Sequence, residues 1–396
     1  MSNLHIIIYS PFPNYTGGRE NWLINILPRI SGSFNKIFLY VYKSDRAPIY
    51  DLSNLKNVVI KEVYCLRQKD LLFSVLNLFS VKLLFLLDIL FFFRKEVRKS
   101  LKQVVMPKDI ILAMNSITEL QPPVDLITEN YNVKVVCSVR GLVPLELGNS
   151  VPYFRRKFEL MEKKLLPFCS TVLANGYDTQ AYLKNQGIDS FIVPNGVDVS
   201  HFKNPDLLDS ELDIIKELKS SNFKIILMVA TLRKIKGIDD LIFAGKILND
   251  LGLSRYKLVF VGKGNPDPFR NTARKLKIED NVLFVGEQKN IAGFLHLSDL
   301  VVCTSGGSGM SMAALEAMAA CRPIVAWDTP VYRQLLTHMK DSYLATYPNH
   351  QELAKGIMLL LNNFELTEKF AFQLNKKITD FDWDVISKKL LNCLEN

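Results

Sequence analysis

Short apolar runs alternate with longer, mixed apolar and polar stretches along most of the chain, and that alternation predicts its architecture. In the first half, strand-like runs stand at residues 4–9, 36–42, 58–63, 110–112, 133–138, 171–174 and 191–193. Helical stretches such as 21–30 and 153–166 lie between them. Apolar runs separated by helices mark βαβ units and a mostly parallel sheet. Pro194-Asn195-Gly196-Val197-Asp198 breaks the pattern, and a polar stretch continues to about Asn222. A second series begins at Lys224, with strand candidates at 225–229, 257–261, 282–284, 300–303, 324–326 and 343–345, each followed by a helix. The expected fold class is α/β: two Rossmann-like, doubly wound domains over residues 1–200 and 201–380, facing a central cleft. A closing helix within 381–396, starting at Trp383, is expected to pack back toward the first domain.

One segment departs from this pattern. Residues 71–93 read LLFSVLNLFSVKLLFLLDILFFF, with charges only at Lys82 and Asp88, and Arg94-Lys95-Glu96-Val97-Arg98-Lys99 follows. The run is long enough to span a bilayer, but each mid-run charge costs roughly 3 kcal/mol there. It also falls inside a domain whose sheet has to be completed on one side of the membrane. A buried helix pair or a helix lying in the membrane plane remain. Phe91-Phe92-Phe93 beside a basic run favours the in-plane helix, its basic edge meeting acidic headgroups.

At 396 residues the chain is too long for one ordinary core, consistent with two domains. The hydrophobic share of 48% and aromatic share of 10% suit packed domains and argue against disorder. A net charge of +9 suits an anionic partner: nucleic acid, acidic lipid or a phosphorylated substrate. No nucleic-acid-binding signature accompanies the charge, so no nucleic-acid partner is expected. Cys65, Cys137, Cys169, Cys303, Cys321 and Cys393 are scattered without a CxxC pair, which points to buried free thiols rather than a metal or redox site. The first strand has no basic, signal-like region before it, so the expected location is cytoplasmic.

The densest chemistry lies in Thr304-Ser305-Gly306-Gly307-Ser308-Gly309-Met310-Ser311-Met312, which connects a buried strand to a helix of Ala, Met and Leu. In an open α/β sheet a ligand binds outside the carboxyl end of such a strand, and the helix start suits a phosphate. Glu316 stands inside that helix, where its carboxylate can reach ribose hydroxyls. By glycine pattern alone, a plain strand-turn-helix stays equally open.

Six motifs in order shift that balance. They are Gly17-Gly18-Arg19-Glu20, Ile192-Val193-Pro194-Asn195-Gly196-Val197-Asp198, Lys236-Gly237, Gly262-Lys263-Gly264, Leu315-Glu316-Ala317-Met318-Ala319 with Arg322-Pro323-Ile324-Val325, and Phe381-Asp382-Trp383. With them the chain resembles, over nearly its whole length, the group 1 (family 4) retaining glycosyltransferases, which have the GT-B fold. The resemblance implies a nucleotide-sugar donor, UDP- or GDP-linked, bound mainly by the second domain, with no cofactor and no metal. It implies an acceptor bound mainly by the first. Lys236 would then offset charge on the donor diphosphate, and Arg233 would reach the same phosphate. Gly18 and Gly262 would allow close backbone approach, Ser311 and Met312 would offer backbone N–H groups, and Glu316 would hold the ribose. Ser308 stands where the family usually has a sugar-contacting carboxylate, Thr231 where it has an arginine, and Arg140 where it has the histidine of an HG motif after a first-domain strand.

The resulting expectation is a retaining glycosyltransferase. It moves a sugar to a lipid-linked or saccharide acceptor in polysaccharide or glycoconjugate assembly, peripherally at an acidic membrane surface on the cytoplasmic side. Lys236, Arg233 and Arg140 are its candidate catalytic residues. Gly18, Gly262, Ser308, Ser311, Met312 and Glu316 are its candidate donor contacts. Two rivals stay open. One is a sugar-nucleotide hydrolase or epimerase on the same fold. The other is a catalytically silent GT-B subunit, favoured by Ser308, Thr231 and Arg140 and opposed by Lys236 and Glu316.

Overall fold

The structure, a computed structural model, describes residues 1–14, 18–45, 47–63, 88–141, 155–306 and 309–395. It divides into two compact units, Met1–Pro194 with Ile386–Asn396, and Asn195–Val385.

The first unit is built on β1 (Leu4–Ile7), α1 (Gly18–Ile30), β2 (Ile37–Tyr42), β3 (Val58–Val63), α2 (Arg94–Val104), β4 (Ile110–Ala113) and α3 (Gln121–Thr128). It continues with β5 (Lys134–Val139), α4 (Arg155–Leu165), β6 (Thr171–Ala174), α5 (Tyr177–Asn185) and β7 (Phe191–Ile192). The parallel sheet has the order β3-β2-β1-β4-β5-β6-β7. Leu4 lies opposite both Ile37 and Ile110, so the strand order reverses between β1 and β4. Leu4, Ile6, Leu112 and Val136 are buried because helices cover both faces, and this is why the strands are nearly continuous apolar runs. β1 ends two residues earlier than its apolar run, since the Tyr9 N–H donates to the Glu119 carboxylate and the Ser10 N–H to the Ile8 carbonyl.

The basic run after the long apolar segment is arranged differently from the expected free edge. Residues 71–87 lie outside the described residues. Phe93 is buried with Val97 and Leu101 in the core over the sheet, whereas Phe91 and Phe92 are 62% and 42% exposed. Arg94 makes a bidentate pair with Asp125 of α3, at 2.8 and 2.6 Å. Arg98 and Lys102 both pair with Glu129, just past α3. The helices pack so that these acids face these bases, which leaves Lys95 and Lys99 as the exposed cations of α2 outside such pairs. Among the described residues, no helix is long and apolar enough to cross a membrane.

The second unit begins with α6 (Val199–Lys203) and α7 (Asp213–Ser220). It then alternates β8 (Lys224–Val229), α8 (Ile238–Asp250), β9 (Tyr256–Val261), α9 (Asp267–Lys275), β10 (Val282–Gly286) and α10 (Ile291–Leu297). There follow β11 (Leu300–Cys303), α11 (Met312–Ala319), β12 (Ile324–Trp327), α12 (Pro330–Arg333), β13 (Tyr343–Ala345), α13 (His350–Asn362) and α14 (Phe364–Ile378). Its parallel sheet has the order β10-β9-β8-β11-β12-β13, reversing between β8 and β11. The last helix, α15 (Trp383–Glu395), opens in the second unit, and its residues from Ile386 onward belong to the first. There Lys134 Nζ donates to the Leu394 carbonyl at 2.9 Å, as a cation at a helix C-terminus should. The closing helix thus packs with the first unit.

The Pro-Asn-Gly-Val-Asp run and the Phe-Asp-Trp run occur together because they touch. Val197 bridges to Asp382, and its N–H donates to the Phe381 carbonyl at 2.9 Å. A Cβ on Gly196 would stand 2.5 Å from the ring of Trp383, which is only 3% exposed. Gly196→Ala is therefore expected to cost about 1–3 kcal/mol of stability through overpacking. Urea unfolding reads this, and an unchanged midpoint would mean that the indole yields freely.

Candidate active site

The carboxyl edge of the second sheet is organised around a turn after β8. Arg233 precedes a 3-10 turn, Lys234–Lys236, and Gly237 then takes a left-handed conformation with φ 74° and ψ 28° before α8 begins. Thr304, just past β11 and buried, donates from Oγ1 to the Gly237 carbonyl at 2.9 Å. The Gly306 N–H donates to the Ile235 carbonyl at 2.9 Å. A Cβ at residue 237 would lie 2.3 Å from the Thr304 carbonyl oxygen, so both the dihedral and the close approach demand glycine. The lysine turn and the glycine-rich loop are thereby fastened together across the sheet's switch point.

Two cations converge on that junction. Lys236 is half-buried and Arg233 exposed, and neither has a carboxylate partner among the described residues. Burial pulls the Lys236 ammonium below its ordinary range, and the Arg233 charge pulls it further. Two like charges held close with no counter-ion make a site that an anion would relieve.

The glycine-rich loop is held from below. The Ser305 N–H donates to the Tyr332 hydroxyl at 2.8 Å, and Gln334 Nε2 donates to the Gly309 carbonyl at 2.8 Å. Ser311 caps α11, its side chain accepting from the Ala314 N–H at 3.3 Å. The N–H groups of Met312 and Ala313, which no preceding turn can satisfy, have no protein acceptor among the described residues. One turn further on, the Glu316 carboxylate is half-buried and makes no hydrogen bond or ion pair among the described residues. Burial pushes it up to about 7. The Cys303 thiol, raised first by burial and then by Glu316, stands at about 12 and is neutral.

The remaining candidates fall elsewhere. Gly262 has φ 147°, and a Cβ there would lie 2.1 Å from the Ala230 carbonyl oxygen, so packing of the β9 turn against the end of β8 already requires glycine. Thr231 Oγ1 is buried without a hydrogen-bond partner among the described residues. Ser308 lies outside the described residues. In the first unit, Gly18 opens α1 in an exposed position. No atom among the described residues comes within 4 Å of where its Cβ would stand, so the fold itself does not demand glycine there. The Arg140 guanidinium stacks 4.3 Å from the Trp22 ring centroid and donates to the Val193 carbonyl at 3.4 Å, and burial lowers its pKa. Lys236, Arg233, Ser311, Met312 and Glu316 therefore share one sheet edge, while Gly18 and Arg140 belong to the other unit.

Sequence reading missed Thr304 and Tyr332, which set the geometry of both loops. Thr304 carries a recoverable signal, a hydroxyl at the last buried position before the glycines; Tyr332, on α12, carries none. The Arg19–Glu119 pair was missed as well. Arg19 donates to the buried Glu119 carboxylate at 2.7 Å, and the same oxygen accepts the Tyr9 N–H at 2.9 Å, which fixes the first turn of α1. No group of three or more His, Cys, Asp or Glu side chains that could hold a metal ion occurs among the described residues.

Comparison with known proteins agrees with this layout. Residues 209–376 match the family described as glycosyl transferases group 1. An uncharacterized glycosyltransferase of Haemophilus influenzae is 33% identical over 145 residues, 36% of this chain and 41% of that protein. N-acetyl-alpha-D-glucosaminyl L-malate synthase of Bacillus anthracis is 31% identical over 150 residues, 37% of this chain and 38% of that protein. The chain thus spans about two fifths of the length of these curated relatives. Anabaena HepE, solved in complex with UDP, is similar over 100% of both chains with a TM-score of 0.76 at 18% identity, a likeness of fold. The two sheet orders and this end-to-end likeness give the chain the GT-B fold, and its second unit matches the glycosyl transferases group 1 family.

Proposed function

We propose that the chain is a retaining glycosyltransferase whose second unit binds a nucleoside-diphosphate sugar and whose first unit supplies the acceptor contacts. The observation that carries this reading is the joint placement on one sheet edge of Lys236, Arg233, the start of α11 and the Glu316 carboxylate, the last two without a protein partner among the described residues. Two cations and free N–H groups match a diphosphate, and a carboxylate one helical turn away matches vicinal ribose hydroxyls. As the bond between the anomeric carbon and the diphosphate oxygen breaks, negative charge grows on the leaving group, where Lys236 and Arg233 stabilise it. The acceptor hydroxyl attacks the same face of the sugar and passes its proton to the departing phosphate oxygen, so the anomeric configuration is retained without a protein nucleophile.

The donor is UDP- or GDP-linked, and the acceptor is lipid-linked or a saccharide in polysaccharide or glycoconjugate assembly, at an acidic membrane surface. Exposed Phe91 and Phe92 beside Lys95 and Lys99 support the membrane part. A panel of UDP- and GDP-sugars, assayed for donor hydrolysis and for transfer, tests the reading. Turnover of one donor is expected; binding of a nucleotide with no turnover of any donor would point instead to a silent subunit.

A further inference from the structure

We infer that the outward face of α4 is a docking surface for anionic lipid headgroups. The inference deepens the membrane-surface part of the proposed function and rests on it. Helix α4 reads RRKFELMEKKL. Its inward side is fixed by Phe158, 2% exposed, and by Glu162, which is fully buried. Glu162 accepts from Ser116 Oγ, from the Tyr182 hydroxyl at 2.7 Å and from Gln186 Nε2 at 3.5 Å. These contacts set the rotation of the helix. With that rotation, the opposite side presents Arg156, Leu160, Lys163 and Lys164, at spacings i, i+4, i+7 and i+8, all exposed.

The charge on this face is unbalanced. Glu159 is occupied by Arg155 at 3.2 Å, and Arg156, Lys163 and Lys164 have no acidic partner among the described residues. On α2, by contrast, Arg94 is paired with Asp125, and Arg98 and Lys102 share Glu129. Apolar groups stand among the free cations: Leu160 is 51% exposed, and Phe168, in the 3-10 turn Leu166–Phe168 that extends the helix, is 42% exposed. A single exposed leucine is ordinary. A leucine ringed by three long basic side chains is suited to the headgroup boundary, where Leu160 enters the acyl margin and the cations reach back to phosphates. An acidic protein partner would match the charge but leave the exposed Leu160 and Phe168 without a role. The outward face thus fits an anionic membrane surface.

The test is cosedimentation of the full chain with vesicles of phosphatidylcholine alone and with an added share of phosphatidylglycerol, at low and high salt. Each neutralised cation should lower partition about fivefold at low salt, so Arg156→Gln with Lys163→Gln and Lys164→Gln should lower it about 100-fold. Leu160→Ser should remove part of the salt-resistant binding. All four positions are exposed, so thermal unfolding and nucleotide binding are expected to stay at wild-type values. Leu160→Trp, quenched by brominated acyl chains, reports insertion directly. If the wild type binds anionic vesicles but the triple variant binds equally well, α4 is not the docking face and the broader membrane reading survives. If the wild type ignores anionic vesicles at every salt concentration, both fall. Equal binding to a soluble acidic polymer, with no effect of Leu160→Ser, would overturn the assignment to lipid.

Discussion

Lys236→Ala is expected to lower sugar transfer by about 10²–10³-fold, equivalent to about 3–4 kcal/mol of transition-state stabilisation, while the protein stays folded. The charge it removes is held half-buried with Arg233 close by and no carboxylate partner among the described residues. Its pKa is depressed in the folded state, so the charged lysine opposes folding at every pH below its unfolded value. Removing it should therefore leave thermal stability unchanged or slightly raised. A residue that costs stability and supports turnover is placed for chemistry rather than for packing. The measurement is kcat and KM for the preferred donor, together with a melting curve. Near-wild-type turnover would take Lys236 out of the mechanism, and a large fall in melting temperature would make its role structural.

The second large effect concerns Glu316. Wild-type nucleotide affinity is expected to tighten as pH rises through about 7, because the ionised carboxylate accepts through both oxygens and with charge, whereas protonation turns one oxygen into a donor. With burial raising it to about 7 and no donor to it among the described residues, this carboxyl is partly protonated near neutral pH in the free protein. Hydroxyls donated by a bound ribose would stabilise the anion, so binding near neutral pH should release a proton. The sign for stability is the reverse. A pKa raised above its unfolded value means stability that is full below the ordinary carboxyl range and is lost as pH rises toward and past 7. Nucleotide should thus protect more at higher pH. The Cys303 thiol, the neighbouring ionisable group that Glu316 perturbs, is neutral throughout this window. Glu316→Gln should flatten the pH profile and bind more weakly above pH 7. Calorimetry in buffers of different ionisation enthalpy reads the proton directly; a flat affinity with no proton released would show that Glu316 does not face the ribose.

The strands of both sheets were legible in the chain because strands in a parallel sheet are covered on both faces and read as uninterrupted apolar runs. The runs 58–63, 171–174, 300–303 and 343–345 coincide with β3, β6, β11 and β13. The start of α11 was legible for a local reason too, since glycines followed by a capping serine act within a few residues. Charge pairing was not. The basic run of α2 gives no sign that Asp125, 31 residues past Arg94, and Glu129 will pair with three of its five cations. Nor does a lysine before a glycine show that Thr304, 67 residues past Gly237, will fasten the turn, or that the Lys236 ammonium will have no carboxylate partner among the described residues. Periodicity and capping are determined by neighbours in sequence, so the sequence by itself determined the two α/β series, their strands and the helix that opens the candidate site. Which cations and which carboxylate have no opposite charge against them among the described residues depends on through-space distance and on desolvation. Those arise only when helices far apart in the chain pack against one sheet, and the tertiary structure alone decided them.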